Sequence, residues 1–195
     1  MIATEDQELV ARVLEGDQVA FAELVEAYQR PVYNLTYRML GEAREAEDAA
    51  QEAFLRAYQH LERYDSQRSF KTWLLSIASN YCIDRLRKRR LTWLSIDEPL
   101  PPHPALNSDV PSPEAATLSG ERSEAVQDLL SDLAPDYRAA VVLRYWYDMP
   151  YAEIAATLDT TESAIKSRLF RARQMLAQKV QSGGAPGLLV AMESA

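Results

Sequence analysis

The chain has 195 residues, 47% of them apolar, which suffices for one ordinary domain or two small ones, and its 21 Lys and Arg against 29 Asp and Glu give a net charge of −8. A molecule of that charge is not a nonspecific polycation, and with one cysteine, Cys82, and two widely separated histidines, His60 and His103, it has neither a disulfide framework nor a Cys- or His-rich metal site. No stretch approaches the ~20 apolar residues of a membrane span, and the acidic Met1–Glu8 lacks the basic start and apolar run of a secretion signal, so a reducing, cytoplasmic setting is expected without membrane insertion.

Helical spacing begins with Leu9, Val10, Val13 and Leu14 and resumes with Phe21, Leu24, Val25, Tyr28, Val32, Leu35 and Met39. Gly16 and Gly41 are the expected breaks, and Pro31 kinks or divides the second stretch. Phe54, Leu55, Tyr58 and Leu61 predict a third helix over Ala43–Leu61, and Ser69 caps a fourth from Phe70 to about Arg89. In that fourth helix Leu74, Ile77, Ala78 and Tyr81 supply the buried stripe. Trp73 reads as a core anchor and Cys82 as a small buried apolar residue.

Six of the ten prolines then fall between Pro99 and Pro113, so no regular element is expected across Asp97–Ser119. Beyond it Val126, Leu129, Leu130 and Leu133 mark one helix and Pro135 starts another through Val141, Val142 and Tyr145. No alternation of strand type is sustained anywhere. The fold class is therefore all-α, two small helical domains over residues 1–92 and 121–180, joined by an acidic proline-rich linker at 93–120 and followed by a flexible tail at 181–195.

Charge is distributed unevenly along this plan: residues 1–60 carry 12 acids and 5 bases, residues 61–90 carry 8 bases and 3 acids, and residues 161–180 carry 5 bases and one acid. Two basic segments on tethered modules suit two points on one polymer, since the second contact is intramolecular. Tyr151–Leu158, the turn Asp159–Thr161 and Glu162–Leu176 have helix-turn-helix spacing. Ile154, Ala155 and Leu158 face inward from the first helix, Ile165, Leu169, Ala172 and Leu176 from the second. The outer face is left with Ser163, Lys166, Ser167, Phe170 and Arg171: cations and hydroxyls for phosphates and base edges, and a ring able to pack on a thymine methyl. A plain helical hairpin with a solvated basic face is the bland alternative.

On the fourth helix, aromatics, Asn80 and the basic end with Arg85 and Lys88 share one rod, a combination suited to single-stranded or opening DNA. A solvated, dipole-favoured helix end accounts for the same cations. Asp48, Gln51, Glu52 and Leu55 sit on neighbouring turns of the third helix, a polar face with apolar points that is either solvated or a docking site.

Taken together these segments resemble the extracytoplasmic-function (ECF) class of the sigma-70 family of bacterial transcription initiation factors. Residues 21–90 resemble sigma domain 2, in particular Ala46–Tyr58, Phe70–Leu74, Asn80 and Asp84-Arg85, and residues 124–179 resemble sigma domain 4. The resemblance implies that Asp48, Gln51, Glu52 and Leu55 bind the clamp coiled coil of core RNA polymerase, with domain 4 at the flap. It implies further that Lys71, Asn80, Arg85 and Arg87 contact the opening −10 strand. Lys166, Ser167, Phe170 and Arg171 match major-groove positions of the −35 reader, and Arg144 matches a phosphate-contacting position. Promoter DNA and an anti-sigma factor are the other implied partners. No cofactor or catalytic residue is implied, and the polymerase does the chemistry.

The chain departs from the family pattern at the turn, where Asp159 replaces a usual Gly, and just before the basic stretch, where Thr161 and Ser163-Ala164 replace a Pro and a Gly-Thr pair. The alternative function is a free-standing helix-turn-helix regulator that acts without stable polymerase binding, and a third is an adaptor whose basic faces meet acidic partners. An enzyme fits least, since the chain has no Gly-rich phosphate loop and no nucleophile paired with a base.

Overall fold

In the computed structural model, which describes residues 5–94 and 125–181, every regular element is a helix. Helix α1 (Glu5–Leu14) starts with Glu5, Asp6 and Glu8, carboxylates at the positive end of the helix dipole, and buries Leu9, Val10 and Val13. It ends before Gly16, whose φ of +99° suits only a residue without Cβ. Asp17 then caps α2 (Gln18–Leu40), its carboxylate accepting from the amides of Val19 at 2.9 Å and Ala20 at 3.3 Å.

Pro31 neither divides nor ends α2, which runs unbroken through it. An internal proline costs about 3 kcal/mol. Just beyond it Val32, Leu35 and Met39 are fully buried, each contributing roughly 1.5–3 kcal/mol, so burial outweighs the break.

Helix α3 (Ala43–Gln59) packs on α2 through Ala46, Ala49, Ala53 and Ala57, all fully buried and small enough for close backbone approach. Thr36 of α2 seals the contact by donating to the Ala46 carbonyl at 2.8 Å. The helix stops at Gln59, short of the expected Leu61, which opens a separate 3₁₀ turn, Leu61–Arg63.

Helix α4 (Phe70–Leu94) starts where expected, the Ser69 carbonyl accepting from the Trp73 amide, and runs past Arg89 to Leu94. Its buried stripe is rotated from the predicted one. Leu74, Leu75, Ala78, Cys82 and Ile83 are in the core, while Ile77 and Tyr81 lie half-buried at its edge. Apolar residues surround much of this helix, so spacing alone does not choose the inward side. Trp73 is likewise half-buried, at the rim of an aromatic cluster with Tyr64 and Phe70 whose centroids are 5.3 to 5.7 Å apart.

Burial pushes the Cys82 thiol up to about 12. The native chain should therefore react with a thiol reagent at neutral pH only as fast as the first bundle opens. Labelling at the rate of an unfolded control would contradict this placement.

The second bundle contains α5 (residues 125–131), α6 (Pro135–Tyr147), α7 (Tyr151–Thr157) and α8 (Glu162–Gln181). Pro135 occupies the first turn of α6, where its missing N–H costs nothing. Asp148 (φ 49°) and Asp159 (φ 47°) adopt the left-handed conformation that turns the chain from α6 toward α7 and from α7 into α8. Thr161 then starts α8 by accepting from the Ala164 amide at 3.2 Å.

The two bundles are packed together, α6 against α2 and both α6 and α7 against α4. Arg138, buried in α6, donates to the Met39 carbonyl at the end of α2 and, at 2.8 Å, to the Ser131 carbonyl of its own bundle. Gln127 donates to the Arg38 carbonyl at 3.2 Å, and the Tyr147 hydroxyl to the Pro31 carbonyl at 2.5 Å. Met39 lies among the last residues of α2, whose carbonyls have no partner within the helix, so the second bundle caps the first. The predicted linker at Asp97–Ser119 and the tail after Gln181 lie outside the described residues.

Candidate nucleic-acid interface

The inward residues of the helix-turn-helix are buried: Ile154 and Ala155 in α7 with Leu158 at its C-cap, and, at the 4, 3, 4 spacing, Ile165, Leu169, Ala172 and Leu176 in α8. Their packing fixes the rotation of α8, so Ser163, Lys166, Ser167, Phe170 and Arg171 all face solvent. Phe170 is 56% exposed, a large ring in water with no packing role in this fold. Arg171 makes only a long 3.4 Å contact with the Tyr137 hydroxyl. Arg144 is more engaged, donating to the Met149 carbonyl at 3.3 Å and lying over the Tyr151 ring at 5.4 Å.

The four α4 positions expected at opening DNA all contact other residues of the protein. Arg85 contacts Glu45 at 3.5 Å and Tyr81 at 3.3 Å within its own bundle. The other three face the second bundle. The Asn80 amide donates to the Thr157 carbonyl at 3.3 Å, Arg87 forms a two-pronged pair with Asp136 at 2.9 Å, and Lys71 lies 5.8 Å from the Tyr147 ring centre. These contacts engage three of the α4 side chains without burying them, for Lys71, Asn80 and Arg87 all remain exposed, while the α8 face makes almost no contact with the rest of the protein.

Around Asn80 the structure collects residues that spacing along one helix does not reveal. Arg56, His60 and Arg63 from the α3 end join Trp73, Ile77 and Tyr81 to line a cleft of about 540 Å³. Arg56 sits 4.7 Å above the Tyr81 ring and pairs with Glu52 at 2.7 Å. A cation over an aromatic ring beside an amide forms a surface on which an unpaired base can stack and hydrogen-bond, with Glu52 and Asp84 also at the cleft wall.

On α3, Asp48, Gln51 and Leu55 are exposed and Glu52 half-exposed, so the predicted face exists as one surface. Leu55 is 51% exposed. Gln51 also borders a groove of about 710 Å³ between α2 and α3, floored by Val25, Tyr33, Ala50 and Phe54. The α2 half of that groove is not legible in the sequence, because Val25 at helical spacing reads equally well as core. Among the described residues no group of His, Cys, Asp or Glu is placed to hold a metal ion, and no helix is long and apolar enough to cross a membrane.

At the bundle contact the pKa shifts come from burial. Burial pushes the Tyr147 hydroxyl up to about 12, keeping it a hydrogen-bond donor to Pro31, and burial draws the Arg138 and Arg38 guanidiniums below their ordinary value.

Comparison with known proteins agrees with this anatomy. Residues 24–92 match the family model Sigma-70 region 2, and residues 123–176 match Sigma-70, region 4. The chain is 37% identical to the ECF RNA polymerase sigma factor SigW of Bacillus subtilis over 88% of its length and 95% of the relative's. It is 37% identical to the ECF RNA polymerase sigma-E factor of Escherichia coli K12, over 90% and 94% of the two chains. The fold matches that of CnrH in complex with the cytosolic domain of CnrY, with a TM-score of 0.66 over 92% of this chain and 99% of that one, at 24% identity. With two family regions on its two bundles and relatives aligned over nearly its whole length, the chain belongs to the sigma-70 family of RNA polymerase sigma factors, in its extracytoplasmic-function class.

Proposed function

We propose that Asp48, Gln51, Glu52 and Leu55 dock this sigma factor on the clamp coiled coil of core RNA polymerase, with residues 121–180 reaching the flap. The observation that carries the reading is the α3 face itself. A half-exposed leucine framed by acids and an amide, beside an apolar groove, has no role in holding either bundle.

Once docked, Lys166, Ser167, Phe170 and Arg171 read the −35 major groove while Arg144 holds a phosphate. Lys71, Asn80, Arg85 and Arg87 take the unpaired −10 strand, with the cleft beside Asn80 receiving a base. The second step requires the bundles to part, because Asn80, Lys71 and Arg87 are engaged by α6 and α7. Polymerase binding supplies that separation, and the acidic proline-rich segment after Leu94 spans it, leaving the residues after Gln181 as a tail. The net charge of −8 disfavours promoter binding by the chain alone. The reading places the protein in the cytoplasm, under an anti-sigma factor that holds both domains.

Two outcomes are expected at the DNA. Arg171→Ala should weaken −35 recognition by ~1–3 kcal/mol, measured as holoenzyme affinity for a −35 duplex, and an unchanged footprint would remove Arg171 from the readout. Asn80→Ala should leave polymerase binding intact but reduce permanganate reactivity of the −10 thymines on a supercoiled promoter. Wild-type reactivity would show that Asn80 does not hold the strand.

A further inference from the structure

A smaller cavity, of about 260 Å³, lies at the junction of the two bundles. Arg30, Asn34 and Arg38 of α2 and Lys71 of α4 form one side, and Trp146 and Tyr147 of α6 the other. Its lining contains three cations and no carboxylate, and no ion pair among the described residues includes Arg30, Arg38 or Lys71. This is unusual in a chain with eight more acids than bases. Two of the cations lean on rings instead, Arg38 at 4.9 Å from the Trp146 centroid and Lys71 at 5.8 Å from that of Tyr147. Arg38 also donates to the Asn34 carbonyl at 3.1 Å, and partial burial lowers its pKa.

We propose that this cavity binds a diphosphate group, either free pyrophosphate or the diphosphate of a nucleotide. Guanidinium forks match phosphate oxygens two at a time, the Lys71 ammonium adds a point charge and the Asn34 amide a neutral donor. The volume is just below the ~300 Å³ at which cavities enclose a whole drug-sized ligand, which suits a compact polyanion better than a strand of nucleic acid. Because the cations belong to one bundle and the aromatic rings to the other, the complete site exists only while the bundles are paired. All the phosphate donors lie in the first bundle, so a ligand favours the paired arrangement only by as much as the Trp146 and Tyr147 wall tightens its binding. Lys71 is shared with the proposed −10 surface, so an occupied site and a captured −10 strand exclude each other.

The test is titration of the full chain with inorganic pyrophosphate at low salt, read by calorimetry and by tryptophan fluorescence, since Trp146 lies under Arg38. One-to-one saturable binding is expected, weakened at least about tenfold in Arg30→Gln/Arg38→Gln and unchanged in Lys166→Ala/Arg171→Ala, which alters the exposed α8 face. The single variant Arg30→Gln, at an exposed position, guards against misfolding of the double variant and should still weaken binding severalfold. Tighter binding of ADP or GDP than of pyrophosphate would identify a nucleotide as the source of the diphosphate, and equal or weaker binding would identify the free anion. Absence of saturation at millimolar pyrophosphate, equal binding by the Arg30 and Arg38 variants, or loss in the α8 variant would overturn the proposal.

Discussion

Glu52→Arg is expected to abolish co-elution with core RNA polymerase while leaving the fold intact. The substitution reverses charge in the middle of the α3 face, and opposing like charges across an interface costs several kcal/mol, equivalent to ~100-fold or more in affinity. The cost to the chain itself is small. Glu52 loses its pair with Arg56 at 2.7 Å, an exposed i, i+4 contact of about 0.3–0.5 kcal/mol, and gains a repulsion of similar size. Far-UV circular dichroism and melting should therefore match wild type. A companion variant, Leu55→Glu, tests the apolar point of the same face without touching the ion pair. Retained assembly by both would show that polymerase docks elsewhere.

Arg138→Leu is expected to open the molecule. Arg138 is only 7% exposed, and one guanidinium bridges the Met39 carbonyl of the first bundle and the Ser131 carbonyl of the second. Hydrogen bonds to a charged group contribute about 1.5–3 kcal/mol each, and removing this one leaves the Met39 carbonyl without its side-chain donor. Relief of the desolvated charge offsets part of that loss. A net change of about 1.5 kcal/mol would raise the separated population roughly tenfold. The variant should show a larger radius in solution scattering, unchanged helicity, and tighter binding of the polymerase-free chain to a −10 single strand. A wild-type radius together with wild-type strand binding would mean that Arg138 does not govern the pairing.

The parts of the fold that were legible in the sequence are those set by local chemistry. The 4, 3, 4 spacing from Ile165 to Leu176 determined which side of α8 is buried, and hence which side carries Lys166 and Arg171. Asp159 at the turn was recognisable as a residue that tolerates the left-handed backbone, and it adopts it. Helix α4 was harder, because Leu75 and Cys82 compete with Ile77 and Tyr81 for the core, and only the positions of α2 and α3 decide between them.

The pairing of the bundles was not legible at all. Asn80 and Lys71 look the same in sequence whether they face water or the carbonyl of Thr157 and the ring of Tyr147. The one trace was an arginine inside the apolar run of α6, since an Arg in a buried segment needs partners and implies that something supplies them. The cleft beside Asn80 escaped notice for a related reason. Arg56, His60 and Arg63 reach it from another helix, and no spacing rule connects them to Asn80.

The central claim is that this chain works as part of RNA polymerase rather than alone. Size-exclusion chromatography of the purified chain with core bacterial RNA polymerase, with and without a promoter-like fork DNA at moderate salt, tests it most directly. Stoichiometric co-elution in the absence of DNA is the predicted result. Failure to associate with core, together with tight binding of duplex DNA by the chain alone, would contradict it.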